Sequence, residues 1–339
     1  MAPRLVPELR CCRAACLHRA YNSIAIFSQV RCKKCTATKP MRHLQTFRLI
    51  ESVTRAGSIR RAAGDMNITA SALNRRIRNF EEEFGCEIFE RLPKGVRLNP
   101  AGELLLQHIR GQISDLARVQ SQVADLTGVR RGHVSVACSQ ALLPYFLPAQ
   151  IAAYRSDHPG VTFSVNVRDR QQAEQELSNY SSDIALVFDP LLLVDFELLM
   201  AVAQPVCVAF AHDHPLAKKK TVRLRDCLDY PHCVPSAPYA VRHLLEVATQ
   251  DTSRRLTPIA ESDSFEFMRH YVLHEQAVCF QFPVGLSSAL DSTLEVRALD
   301  AKDVTPGYLR LGQLKGRTLP VASALFAMQL QQVLESLDV

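Results

Sequence analysis

In the stretch TASALNRRIR, residues 69 to 78, short polar side chains precede guanidinium groups at helical spacing. At 100° per residue Ser71, Asn74, Arg75 and Arg78 fall on one side of a helix, opposite an apolar stripe of Leu73, Ile77, Phe80 and Phe84. Hydroxyl and amide groups in the first turn of such a helix can reach base edges in a major groove, and the arginines behind them can reach phosphates. Thr69 is the expected N-cap, and Ala70 beside it offers a methyl group that can touch a thymine methyl. A surface helix with solvated arginines has the same face, and this stretch alone leaves both readings open.

The flanking elements decide how that face is held. Leu44, Phe47, Leu49, Ile50 and Val53 recur at three and four from His43 and predict a helix ending at Gly57. Ser58 then caps a short helix to about Met66, in which Ala62 and Ala63 let a neighbour approach closely. Beyond Gly85, the turn Pro93-Lys94-Gly95 between short extended pieces predicts a β-wing flanked by Arg91 and Arg97. Asn99 caps and Pro100 opens a long helix to about Thr127, with a seam of Leu105, Ile109, Ile113, Leu116, Val119, Val123 and Leu126. Such a seam calls for a partner helix. Two-fold pairing along it would set two basic helices on one face of DNA and make the target an inverted repeat.

The 339 residues, 47% hydrophobic, fit two or three globular domains, and no apolar run approaches the roughly 20 residues of a membrane span, so no membrane partner is expected. The formal net charge of +6 is unevenly spread. Residues 1–40 hold eight basic and one acidic residue, 41–130 hold 14 and 10, and 131–339 hold 18 and 23. This asymmetry points to a part facing nucleic acid joined to a part that meets something else. Cys86, Cys138, Cys207, Cys227, Cys233 and Cys279 stand singly, mostly in apolar runs, as reduced core cysteines of a cytoplasmic protein do.

The first forty residues have no sustained period. Cys12, Cys16, Cys32 and Cys35 allow a four-thiolate zinc site to be drawn, though one C-x-x-C with a loose second pair is a weak signal. The preferred expectation is a disordered basic extension, or a start placed too far upstream, with Met41 opening the first orderly segment. No cofactor and no metal are expected elsewhere, since His212, His214, His232, His243, His270 and His274 have no ligand spacing beyond H-x-H.

From Gly132 short apolar runs alternate with helical periods. HVSVAC, VTFSVNV, DIALVF and PVCVAFA read as strands, with helices near 144–156 and 170–179. Helices at 239–250, 264–274 and 283–290, a strand near 258–260 and the strand AVCFQF follow. The alternation predicts an α/β region of mostly parallel sheets in two lobes, with a ligand crevice at the strand ends.

Residues 42 to about 102 resemble the winged helix-turn-helix of LysR-type transcriptional regulators. The resemblance rests on A-G-S before the second helix, A-A within it, A-L-x-x-x-I in the recognition helix, E-x-x-x-G, I-F-E-R and V-R-L-x-x-A-G. In LLPYFLP, HPGV, SDIALV, HDHPLA and ESDSFEFMRHYV the rest is similar to that family's effector-binding domain, so that roughly 42–335 is covered. Where the family's recognition helix commonly opens with Ser-Gln-Pro, this chain has Thr69, Ala70 and Ser71, and base preferences do not transfer.

The resemblance implies a winged helix-turn-helix at 41–99, a linker and dimerisation helix at 100–130, and a two-lobed α/β effector domain at 131–339 with the fold of periplasmic solute-binding proteins. It implies a bacterial homodimer or homotetramer on double-stranded DNA, a small-molecule inducer, and RNA polymerase as a further partner. By motif, the DNA-facing residues are Ser58, Thr69, Ala70, Ser71, Asn74, Arg75, Arg78, Arg91 and Arg97. The inducer would meet Ser139 and Gln140, Arg168 and Asp169, Pro205 and Cys207, then Phe280. Ser139 and Arg168 would suit a carboxylate, whereas the plain alternatives are a helix cap for Ser139, a solvated charge for Arg168 and core for Phe280. The competing class is a solute-binding or enzymatic α/β protein with an incidental basic N-terminus. No G-x-S-x-G, G-x-G-x-x-G, G-x-x-x-x-G-K-[ST] or H-E-x-x-H supports an enzyme.

Overall fold

The computed structural model describes residues 42–126, 131–188, 194–250, 254–286 and 293–336. The expected N-terminal extension and its drawn zinc site lie outside the described residues. No described helix is long and apolar enough to cross a membrane.

α1 (Arg42–Ala56), α2 (Ile59–Asp65) and α3 (Ala70–Phe84) precede a hairpin of β1 (Phe89–Leu92) and β2 (Gly95–Leu98). α1 stops where Gly57 turns left-handed, at φ 61°, a conformation that carries no penalty without a Cβ. The Ser58 and Thr69 side chains accept from the N–H groups of Arg61 and Ala72 and start the next two helices. Between those helices Asn67, at φ 54°, makes the tight turn. Ala62 and Ala63 are buried, so α3 packs closely and seats Leu73 and Ile77 on Leu49, Ile50 and Val53. Ile88 and Phe89 carry the wing into the same core.

α4 (Pro100–Leu126) is about 40 Å long at 1.5 Å per residue. Asn99 caps it, accepting from Gly102 N at 2.8 Å, and its amide donates to Glu87 O at 2.7 Å. The apolar seam divides along this helix. Leu105 and Ile109 are buried in the core of the DNA-reading head, whereas Val119 and Val123 are 45% and 56% exposed. The first half of the seam therefore serves its own chain, and only the second half stands uncovered.

The remainder is two sheets. β3 (Arg131–Cys138), β4 (Gly160–Val167), β5 (Ile184–Phe188), β6 (Phe196–Gln204) and β12 (Gly307–Leu314) form lobe I, in the order β4-β3-β5-β12-β6. β7 (Cys207–Ala211), β8 (His232–Pro235), β9 (Ala260–Ser262), β10 (Val278–Gln281) and β11 (Leu294–Ala298) form lobe II, in the order β11-β7-β10-β8-β9. The expectation of mostly parallel sheets is corrected here. β12 runs antiparallel to β5 and β6, and β7 runs antiparallel to β10 and β11. The cause is the double crossover: the chain leaves lobe I along β6 and returns along β12, and these two strands pair with each other.

Helices cover both sheets: α5 (Phe146–Asp157), α6 (Arg170–Ser178), α7 (Leu224–Cys227), α8 (Ala240–Gln250), α9 (Phe265–Tyr271) and α10 (Val321–Glu335). The helix expected at 283–290 is a single 3-10 turn, Pro283–Gly285, and residues 287–292 lie outside the described residues. In lobe I the rings of Tyr154, Phe163 and Phe326 meet edge to face at 4.9–5.7 Å, and Tyr154 Oη donates to Ala322 O at 3.0 Å. Replacing the fully buried Phe326 by Ala is expected to cost about 3–5 kcal/mol in urea unfolding. Met328→Ala, on the same helix but 54% exposed, is expected to cost less than about 0.5 kcal/mol.

Candidate nucleic-acid interface and inter-lobe crevice

The outer face of α3 carries Ser71, Arg75 and Arg78, all exposed, with Asn74 half-buried. Thr69 Oγ1 lies 3.2 Å from Ser71 Oγ, so two hydroxyls share the start of the helix. Ala70 also packs partly against the core of the head. Asn74 Oδ1 accepts from Arg91 Nη2 at 3.3 Å, which ties the reading helix to the wing and leaves the Asn74 amide N–H groups for other partners. Arg97 pairs with Glu90 directly across the hairpin, Nε to Oε2 at 2.7 Å, and both are well exposed. Ser58, at the start of α2, is half-buried, with its hydroxyl turned to the backbone of its own helix. Glu81 Oε1 accepts from the N–H groups of Ile88 and Phe89 at 2.9 and 3.3 Å and sets the angle at which the wing leaves α3. In the sequence Glu81 is marked only as the first residue of E-x-x-x-G, which does not reveal these partners.

The crevice between the lobes lies at the C-terminal ends of β3, β4 and β5. Of the residues assigned to it by motif, Ser139, Arg168 and Asp169 line it. Ser139 is buried and makes no side-chain cap bond to the short turn Gln140–Leu142. Arg168 Nε donates to Glu176 Oε1 at 2.5 Å, so its charge is already matched. Asp169 caps α6, accepting from Gln172 N at 2.7 Å.

Gln140 is turned to another task, its Oε1 accepting from Phe265 N across the two lobes at 2.9 Å. Pro205 is exposed and lies outside the lining; Cys207 is buried in the core, where loss of solvation pushes its thiol up to about 12. Phe280 is buried in lobe II, and the ring at the crevice is Phe282, two residues on, stacked on Phe188 at 4.1 Å. Ala141, Arg170, Tyr239 and Phe265 also line the wall, and of these Arg170, Tyr239 and Phe265 went unmarked in the sequence. With these rings in place the crevice keeps about 20 Å³ of free space, room for one water. Bound there, anything larger must part the lobes or displace a ring.

Two family profiles match the chain: bacterial regulatory helix-turn-helix protein, LysR family, over residues 43–103, and LysR substrate binding domain over 127–335. Among curated proteins it is 23% identical over 229 residues to the HTH-type transcriptional activator CmpR of Synechocystis, spanning 68% of this chain and 75% of that protein. Its fold is like that of a full-length OxyR variant from Pseudomonas aeruginosa, with TM-score 0.65 and 20% identity over 84% of this chain and 93% of that one. It is also like full-length CbnR complexed with its target DNA, with TM-score 0.59 and 15% identity over 85% and 99% of the two chains.

Thiol chemistry tests the placement of the cysteines. Cys86 is exposed, whereas burial raises the thiols of Cys138, Cys207 and Cys227 to about 12. Peptide mapping after brief alkylation of the native protein at pH 8 is expected to find Cys86 modified and those three protected. Rapid labelling of Cys207 would mean that it is reached from a crevice the structure does not show.

Proposed function

The chain belongs to the LysR family of transcriptional regulators, a family of DNA-binding proteins with an effector-binding domain and not of enzymes, and from that premise we propose how it reads DNA and what it senses. It binds an inverted-repeat site as a homodimer or homotetramer, joined through the uncovered half of α4. A small molecule carrying an anionic group enters the inter-lobe crevice and changes the grip on that site.

The exposed face of α3 carries the reading. Ser71 and Thr69 at its start, with Asn74 one turn on, suit base edges. Arg75 and Arg78 suit phosphates on the groove walls. The wing adds Arg91 and Arg97, and Ser58 stands at the start of α2, where a phosphate would complement the helix end. The uncovered Val119 and Val123 supply the apolar strip that a second α4 would cover.

For the inducer, four aromatic rings line the crevice and suit an apolar body. The wall holds two guanidinium groups, Arg168 and Arg170, against the single carboxylate of Asp169, with the hydroxyl of Ser139 nearby. Arg168 is bonded to Glu176, so an anionic group would reach its guanidinium by taking the place of that carboxylate. Ligand binding shifts the protein only if the liganded lobe arrangement is bound better than the ligand-free one.

Selection of bound sites from a random duplex library by the purified protein, at physiological salt, tests the DNA reading. An inverted repeat is the expected product; the absence of any consensus would reduce α3 to a solvated basic face. Against the selected site, Arg75→Ala and Arg78→Ala are each expected to weaken binding to specific and random duplexes alike, and to lower the salt slope by about 0.9. Ser71→Ala is expected to cost about 1–3 kcal/mol on the selected site and little on random DNA.

A further inference from the structure

Three backbone features converge where α4 crosses lobe I. Gly111 faces the ring of Tyr180 so closely that a Cβ there would stand 3.3 Å from Tyr180 Oη. Tyr180 is itself left-handed, at φ 57°, a conformation uncommon for a bulky residue. Gly316, left-handed at φ 73°, turns the chain just after β12 and delivers Arg317 to the same place.

The Arg317 side chain is 6% exposed. Its guanidinium donates to Asp183 Oδ1 at 2.6 Å, to Ser182 O at 2.9 Å and to Ser114 Oγ of α4 at 2.9 Å, with its carbon 5.1 Å from the centre of the Tyr180 ring. One turn earlier on α4, Arg110 donates to Asn179 Oδ1 at 2.7 Å and stands 3.6 Å from Glu51 Oε1 of α1. Lobe I, the long helix and the first helix of the DNA-reading head are thus tied at one joint by two arginines. β12 is one of the two strands that cross between the lobes, and Arg317 follows its end by three residues. Arg317 thus joins a strand that runs between the lobes to α4.

We propose that Arg317 and Arg110 are positioning residues: they fix the angle of the reading head against the effector lobes, and so set the spacing at which two heads meet DNA. The inference rests on the two-half-site reading above. Heads held at a fixed angle bind the second half-site with the advantage of an intramolecular contact, and heads that swivel lose that advantage without losing any base contact.

The test compares affinity for the selected inverted repeat with affinity for the same duplex bearing one half-site, using the full chain. Ser114→Ala combined with Arg110→Gln cuts both ties on the α4 side and leaves the buried Arg317–Asp183 pair intact, so that lobe I keeps its fold. The ratio of full-site to half-site affinity is expected to fall about tenfold, with half-site and random-duplex affinities unchanged to within about twofold. Ser323→Ala loosens the same Asp183 network, where its hydroxyl donates at 2.9 Å, without touching α4, and is expected to leave the ratio alone. An unchanged ratio in the double variant overturns the positioning role while the two-half-site reading stands. A wild-type protein with no preference for the paired site overturns that reading, and the joint's role with it.

Discussion

Asp183 is buried, 8% exposed, and its carboxylate accepts three hydrogen bonds: Ser135 N at 3.0 Å, Ser323 Oγ at 2.9 Å and Arg317 Nη2 at 2.6 Å. A buried charge is tolerated only when it is paired and its lone pairs are used, and each donor here comes from a different element. β3 opens lobe I, Arg317 follows the returning strand β12, and Ser323 lies on α10. The connection that brings Asp183 to the start of β5 thus pins the first, middle and last segments of the lobe to one point. Arg317 reaches Ser114 of α4 from the same point.

The two surfaces that meet other molecules are built by opposite means. The face of α3 is exposed, and its arginines stand in water, so its attraction is electrostatic and will weaken with salt. The crevice is walled by rings, with its charges bonded to neighbouring residues or to helix ends, so selectivity there comes from shape and from the few polar groups left to turn inward. A third feature connects them. The uncovered half of α4 follows directly from the half that is buried in the head, so a partner helix seated on Val119 and Val123 would sit at a fixed distance from α3.

Much of the head was legible in the sequence, because its determinants are local. Ser58, Thr69 and Asn99 cap the helices they were expected to cap, and of the α3 stripe Leu73 and Ile77 are buried, whereas Phe84, at the end of the helix, is 49% exposed. What stayed hidden depends on residues distant in the chain. β6, β8, β11, β12 and α10 were not read, and the returning strand β12 alters the expected sense of its sheet by pairing antiparallel with strands more than a hundred residues away. Periodicity along α4 is the same whether a residue covers its own core or another chain, so the division of the seam was invisible. Phe280 and Phe282 belong to one apolar run, and only the end of β10 decides that the second ring faces the crevice. Gln140 and Arg168 were placed by resemblance, but the partners that occupy them, Phe265 N and Glu176, are set by packing.

The double crossover also governs the order in which the chain can fold. Every strand of lobe II lies between β6 and β12, so lobe II is nested inside lobe I in sequence. On the ribosome β3, β4, β5 and β6 emerge first, but the slot between β5 and β6 stays empty until β12 is made, and the ring cluster of Tyr154 and Phe163 waits longer for Phe326. Lobe II can complete its sheet before lobe I does, leaving the earlier-made strands with unpaired edges for the whole interval. Long-range pairing of this kind is slow and prone to wrong association. The nascent protein is therefore most exposed to aggregation while its second lobe is being synthesised.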